Sequence, residues 1–134
     1  MESSTLQKPP RRYSVLVSDD DAETRQTLGD VLSSDGFATF LASCGGEALD
    51  IFQRELIDLL IMDMFMPDLT GLETFQMIKR ISTRRVPCIF VTGRAEDEEL
   101  RRQAMLADAF TVLPKPISVN LVRAAVRLVL KRYC

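Results

Sequence analysis

The chain has no histidine. That excludes Ser-His-Asp and Cys-His catalysis and every histidine-ligated metal, and leaves carboxylates, hydroxyls and amines for any chemistry. Cysteine is scarce. Cys44, Cys88 and Cys134 are odd in number, far apart and without a Cys-x-x-Cys pair, the pattern of reduced thiols in a cytosolic protein. No apolar run approaches the roughly 18–20 residues of a membrane span. The opening MESSTLQKPPRR lacks an apolar signal core, so a cytoplasmic location with no membrane partner is expected. Neither sign of charge dominates. The 17 basic and 19 acidic residues leave a net −2, which gives no general pull toward nucleic acid, and no direct nucleic-acid binding is expected. No Gly-x-Gly-x-x-Gly or similar phosphate cradle follows a strand, which weighs against a flavin- or nucleotide-binding domain.

What is present is enough for one packed domain: 134 residues, 46% of them apolar, with no repeat at solenoid spacing. Residues 1–12 are polar, with Pro9-Pro10 and Arg11-Arg12, and read as a flexible arm before a domain spanning 13–134. From there strands and helices alternate. Tyr13 to Ser18 reads as a strand and runs into Asp19-Asp20-Asp21. A helix from Ala22 carries Leu28, Val31 and Leu32 at helical spacing and stops at Asp35-Gly36. Phe37 to Leu41 is a strand, and Ser43 to Leu56 a helix with Ala48, Leu49 and Phe52 inward. Leu59 to Met62 is a continuous apolar run ending in Asp63, as expected of a strand buried on both faces. Pro67 and Gly71 mark the loop after it. A helix from Gly71 to Ile81 presents Leu72, Phe75, Met77 and Ile78. Val86 to Val91 is a strand ending in Thr92-Gly93, and Glu96 to Leu106 a helix with its acids in the first turn. Ala109 to Leu113 is the fifth strand, closing on Pro114-Lys115-Pro116. Ser118 caps a last helix that carries Leu121, Val122, Ala125, Val126 and Val129.

Strand-helix-strand connections are right-handed almost without exception, so this alternation predicts an α/β fold: a five-stranded parallel sheet with helices on both faces. All strand C-termini then share one edge, where open α/β sheets place their ligands. That edge carries Asp19, Asp20, Asp63, Thr92 and Lys115. Three clustered carboxylates repel one another unless a cation joins them. An oxygen-only set with no His or Cys indicates Mg²⁺, or Mn²⁺. A carboxylate beside such an ion, a lysine and a hydroxyl is arranged to attack phosphorus and give an aspartyl phosphate.

The sequence resembles the receiver domain of two-component response regulators, the chemotaxis-regulator type included. The resemblance rests on the ordered set Val15-Leu16-Val17-Ser18-Asp19-Asp20-Asp21 with Arg25, Asp58 to Pro67 with Gly71, Pro87 to Gly93, and Lys115-Pro116. It implies a flavodoxin-like sheet of order 2-1-3-4-5. It implies Asp63 as phosphoacceptor and Thr92 and Lys115 as the pair gripping the phosphoryl oxygens. Asp20, Asp63 and the Phe65 main-chain carbonyl would be metal ligands, with Asp19 holding metal-bound water. It further implies a sensor histidine kinase or phosphotransfer protein as donor. An output partner or domain would be reached through helix 96–106, strand 109–113 and helix 118–132. Three positions depart from the pattern: Ser18 where an apolar residue is usual, Thr70 where Asp is frequent, and Val112 where an aromatic is frequent. The first two are expected to be of little consequence. Phe110 cannot replace the aromatic: it is expected on the Val112 face of its strand but about 7 Å farther from the site. The competing reading is an Asp-nucleophile phosphatase of the haloacid dehalogenase type, suggested by Asp19-x-Asp21. The chain is short for that core, and the expected Thr or Val does not follow.

Overall fold

The computed structural model describes residues 12–133. The proposed arm lies outside these residues except for Arg12. Five strands, β1 (Ser14–Ser18), β2 (Ala38–Ala42), β3 (Leu59–Asp63), β4 (Cys88–Thr92) and β5 (Thr111–Pro114), alternate with five helices. The helices are α1 (Ala22–Ser34), α2 (Gly45–Arg54), α3 (Gly71–Ile81), α4 (Glu98–Leu106) and α5 (Val119–Tyr133). All strand pairs are parallel, in the order β2-β1-β3-β4-β5. The register sets Val17 beside Ile61, Ser18 beside Met62 and Thr92 beside Pro114, so the polar strand ends reach one edge together.

The sheet separates two apolar layers, as period-2 alternation requires. Val15, Val17, Leu59, Ile61, Ile89 and Val91 pack with Leu28, Leu32, Val122, Val126 and Val129 of α1 and α5. Leu16, Leu60, Met62, Cys88 and Phe90 pack on the other face with Ala48, Ile51, Phe75, Ile78 and Ala104 of α2, α3 and α4. Every residue of β3 and β4 is buried, which explains why these strands read as unbroken apolar runs. Cys44 and Cys88 are both free thiols. Burial pushes the Cys88 thiol well up, so it stays protonated and inert.

Several boundaries differ from the sequence expectation. Helix α2 starts at Gly45, not Ser43, and ends at Arg54, because Cys44 is its extended N-cap and Glu55 its C-cap. Helix α4 starts at Glu98, since the Asp97 carboxylate caps it by accepting from the Glu99 and Leu100 amides. Strand β4 begins at Cys88, after the proline, and β5 at Thr111. Met77 and Leu121, expected inward, are exposed, to 37% and 47%: each lies at the margin of its helix's buried stripe. Phe110 is the clearest correction. Asp108 takes a left-handed backbone (φ 72°), and Phe110 precedes the strand, so strand alternation does not apply to it. Its ring packs with the α5-side layer, edge-on to Tyr133 at 6.2 Å, while Val112 belongs to the opposite layer.

Thr70 is more than a loop residue. Its hydroxyl accepts from the Glu73 amide (3.0 Å) while the Glu73 carboxylate accepts from the Thr70 amide (2.9 Å), a capping box that fixes the start of α3. Ser18 is also less neutral than expected. It is buried, and its hydroxyl has no hydrogen-bond partner among the described residues, an arrangement that costs stability. Ser118 caps α5 as predicted, accepting from the Leu121 amide at 3.3 Å. Arg123, on the basic side of α5, is bidentate to Asp35 at the end of α1.

Candidate functional site

Four of the five strands, β1, β3, β4 and β5, lead into polar groups at the C-terminal edge. β1 hands over to Asp19, which is fully buried, and to Asp20, which is exposed. Two contacts hold that turn. The Asp21 amide donates to Asp19 Oδ1 (2.9 Å), and Arg25 donates from α1 to the Asp19 carbonyl (2.7 Å). β3 ends in Asp63, buried to 5% exposure. Asp19, Asp20 and Asp63 each present a carboxylate oxygen within 4.8 Å of the other two.

Lys115, just past β5, enters the same space. Its Nζ lies 3.1 Å from Asp63 Oδ2, a hydrogen-bonded ion pair, and 2.9 Å from Asp19 Oδ2. The Asp19 contact is an ion pair without hydrogen-bond geometry, so this buried oxygen accepts no hydrogen bond among the described residues. Thr92 ends β4, fully buried, and its Oγ1 accepts from the Arg94 amide at 3.1 Å. The hydroxyl proton remains available to a third group.

The electrostatics follow from this crowding. Burial, with the Asp19 charge adding to it, outweighs the Phe65 amide and Lys115 and pushes the Asp63 carboxyl up to about 6. Burial works to lower the Lys115 ammonium, but its contacts with the Asp19 and Asp63 carboxylates and their charges prevail, and its pKa is raised. Asp19 and Asp63 share Lys115, Asp20 stands beside them, and among the described residues one buried acid oxygen accepts no hydrogen bond. Such a donor set has room for a hard divalent ion and no soft ligand to compete for it.

The loop between β3 and α3 closes one side. The Phe65 amide donates to Asp63 Oδ1 (3.2 Å), and the Gly71 amide donates to the Met64 carbonyl (3.0 Å). Phe65 is partly exposed, and the Arg94 guanidinium lies over its ring at 5.3 Å. Arg94 is also paired with Asp97 (3.0 Å). The structure thus brings together Asp19, Asp20, Asp63, Thr92 and Lys115, with Phe65 adjacent. Sequence reasoning missed Asp68. Its Oδ1 accepts from the Gly45 amide (2.9 Å) and its Oδ2 from the Gly46 amide (2.8 Å) at the start of α2. No local signal announces a cap supplied from 22 residues away. Thr70 was legible as the first residue of Thr-x-x-Glu.

A parallel sheet in this order, with an acidic pocket at its C-terminal edge, is the architecture of a known family of domains. The chain belongs to the response regulator receiver domain family, whose model matches residues 15–127. It is a receiver domain of the kind found in two-component response regulators, and that family lends nothing to the phosphatase alternative. Among similar proteins, the response regulator MprA of Mycobacterium leprae is 35% identical over 118 residues, covering 88% of this chain and 51% of the relative. The transcriptional regulatory protein CpxR of Escherichia coli K12 is 32% identical over 118 residues, covering 88% and 49%. The chain therefore spans about half the length of the curated relatives it matches. Among solved structures, a response regulator receiver domain protein from Clostridium thermocellum superposes with a TM-score of 0.81 at 33% identity, covering 90% of this chain and 95% of that one. The chemotaxis response regulator CheY4 of Vibrio cholerae gives 0.82 at 26% identity, covering 89% and 99%. No helix of the described residues is long and apolar enough to cross a membrane.

Proposed function

We propose that this receiver accepts a phosphoryl group on Asp63 from a histidine kinase or phosphotransfer protein and signals through the change that follows. The observation that supports this most is the placement of Asp63. It is a buried strand-end carboxylate with Lys115 Nζ at 3.1 Å and two further acids within 4.8 Å. In the transfer, an Asp63 carboxylate oxygen attacks phosphorus and the bond to the donor's leaving atom breaks. That electron pair departs with the donor, and Asp63 becomes an acyl phosphate. Lys115 neutralises the carboxylate before the step and the phosphoryl oxygens after it. Thr92, whose oxygen already accepts from Arg94, donates its proton to a phosphoryl oxygen.

Asp20, Asp63 and the Phe65 carbonyl would hold Mg²⁺, or Mn²⁺, with Asp19 holding a bound water. The ion, when bound, offsets negative charge on the transferring oxygens. The output would pass to a partner or attached domain over the face of α4, β5 and α5, and the activity is that of a switch in the cytoplasm. Incubation with acetyl phosphate and Mg²⁺, read by intact-mass spectrometry, should add one phosphate to the wild type and none to Asp63→Asn. Equal labelling of both would overturn the assignment.

A further inference from the structure

Asp68 takes no part in the transfer just described, yet it makes more backbone contacts than any acid of the pocket. Its carboxylate accepts from three amides: Gly45 (2.9 Å), Gly46 (2.8 Å) and Leu69 (2.7 Å). Two of these are the first amides of α2, which a helix leaves without internal partners. The helix's own N-cap, Cys44, supplies only a thiol, accepting from the Glu47 amide at 3.5 Å. Asp68 therefore does the capping that Cys44 does poorly, and does it from the loop beside the acidic pocket.

The fit between the two segments is close. A Cβ on Gly45 would come 2.5 Å from Thr74 Oγ1 and 2.8 Å from Leu69 Cβ, so α2 meets the loop and α3 backbone to side chain. The loop is pinned at its ends by the Phe65–Asp63 and Gly71–Met64 hydrogen bonds and by the Thr70 capping box. Asp68 is the tie between its middle and the rest of the fold. Hydrogen bonds from these amides, Gly46 first, hold the Asp68 carboxyl down at about 2, so the tie is a full carboxylate at any pH where the protein works.

We propose that Asp68 is a positioning residue that fixes the β3–α3 loop, and with it the Phe65 carbonyl, for metal binding, and so couples the metal site to the N-terminus of α2. The proposal rests on the reading of the Phe65 carbonyl as a metal ligand. Residues that orient ligands from outside the coordination shell commonly change metal affinity by about tenfold or more. Because coupling is reciprocal, Mg²⁺ must tighten the Asp68 tie by the same factor that the tie raises Mg²⁺ affinity.

The test compares wild type, Asp68→Ala and Arg85→Ala in the full chain. Arg85 pairs with Asp108 at the opposite edge of the sheet, and its variant controls for lost stability alone. Mg²⁺ titrated by calorimetry should bind Asp68→Ala about tenfold more weakly than wild type, while Arg85→Ala keeps wild-type affinity. In amide hydrogen exchange, Mg²⁺ should slow Gly45 and Gly46 in the wild type and not in Asp68→Ala. Wild-type affinity in Asp68→Ala, or Gly45 and Gly46 amides indifferent to Mg²⁺ in a wild type that binds it, overturns the coupling alone. A wild type that takes up no Mg²⁺ overturns the proposed metal site and the coupling with it.

Discussion

Gly71 opens α3 at the point where the helix runs back against the end of β3. A Cβ built there overlaps the Asp63 carbonyl oxygen and lies 3.0 Å from both the Asp63 carbonyl carbon and Met64 Cα. All three are main-chain atoms, so no rotamer change relieves the overlap. Nor can the strand end step aside freely. The Met64 amide donates to the Val91 carbonyl (3.1 Å), and the Gly71 amide donates to the Met64 carbonyl (3.0 Å). Forcing an extra methyl into a packed site costs about 1–3 kcal/mol, and more where backbone must move. Alanine's better helix propensity returns at most about 1 kcal/mol, and less at a first-turn position. Gly71→Ala should therefore lose about 3 kcal/mol, a large share of the roughly 5–15 kcal/mol that holds a domain folded. It should also impair acetyl-phosphate labelling, because the residue displaced is Asp63. Gly93→Ala is the matched control. Nothing lies within 4 Å of its Cβ and its φ is not left-handed, so it should change stability by under about 1 kcal/mol. Urea denaturation followed by circular dichroism measures both. If Gly71→Ala is within 1 kcal/mol of the wild type, or matches Gly93→Ala, the close-approach argument is wrong.

Three further outcomes are expected. Asp63 ionises at about 6 in the fold against 3.8 unfolded, so from pH 3.8 upward the unfolded chain sheds its proton first. The metal-free protein then loses stability until the pH passes about 6. The full shift corresponds to about 3 kcal/mol, which solvent at the site mouth reduces to about 1–2. Asp63→Asn should thus be more stable than the wild type at pH 7.5 without metal; equal urea midpoints for the two at that pH would refute this. Phe65→Asn removes the ring that Arg94 covers beside Asp63 and should shorten the half-life of the phosphorylated form, measured by loss of the added mass; an equal or longer half-life counts against shielding. Val112 is buried, β-branched and stiff, so phosphorylation should move residues 93–99 rather than flip a rotamer at 112. NMR shifts with a beryllofluoride mimic decide this, and changes centred on Val112 with 92–99 still would refute it.

The architecture and the grouping of the candidate site residues were legible because they rest on local pattern. Strands covered on both faces must be apolar throughout, so Leu59 to Met62 stands out as β3, and a charged residue after it can only be at its end. Once five such strands are parallel, Asp19, Asp20, Asp63, Thr92 and Lys115 have to share an edge. Thr70 and Glu73, three residues apart on one segment, carried a local capping-box signal that the reading of Thr70 as inconsequential passed over.

What the sequence left open depends on approach between distant segments. That Asp68 caps α2, that Arg84 reaches the buried Asp58 (3.3 Å) and the Ile57 carbonyl (2.6 Å), and that Gly71 touches Asp63 are facts of tertiary packing. Phe110 shows the same limit within five residues. Its side was assigned by strand alternation, but the left-handed turn at Asp108 delays the strand, and Tyr133 on α5 offers the ring a partner. Periodicity fixes which residues are buried within an element. Which segment supplies the hydrogen bond that an element's end lacks is decided only when the chain has folded back on itself.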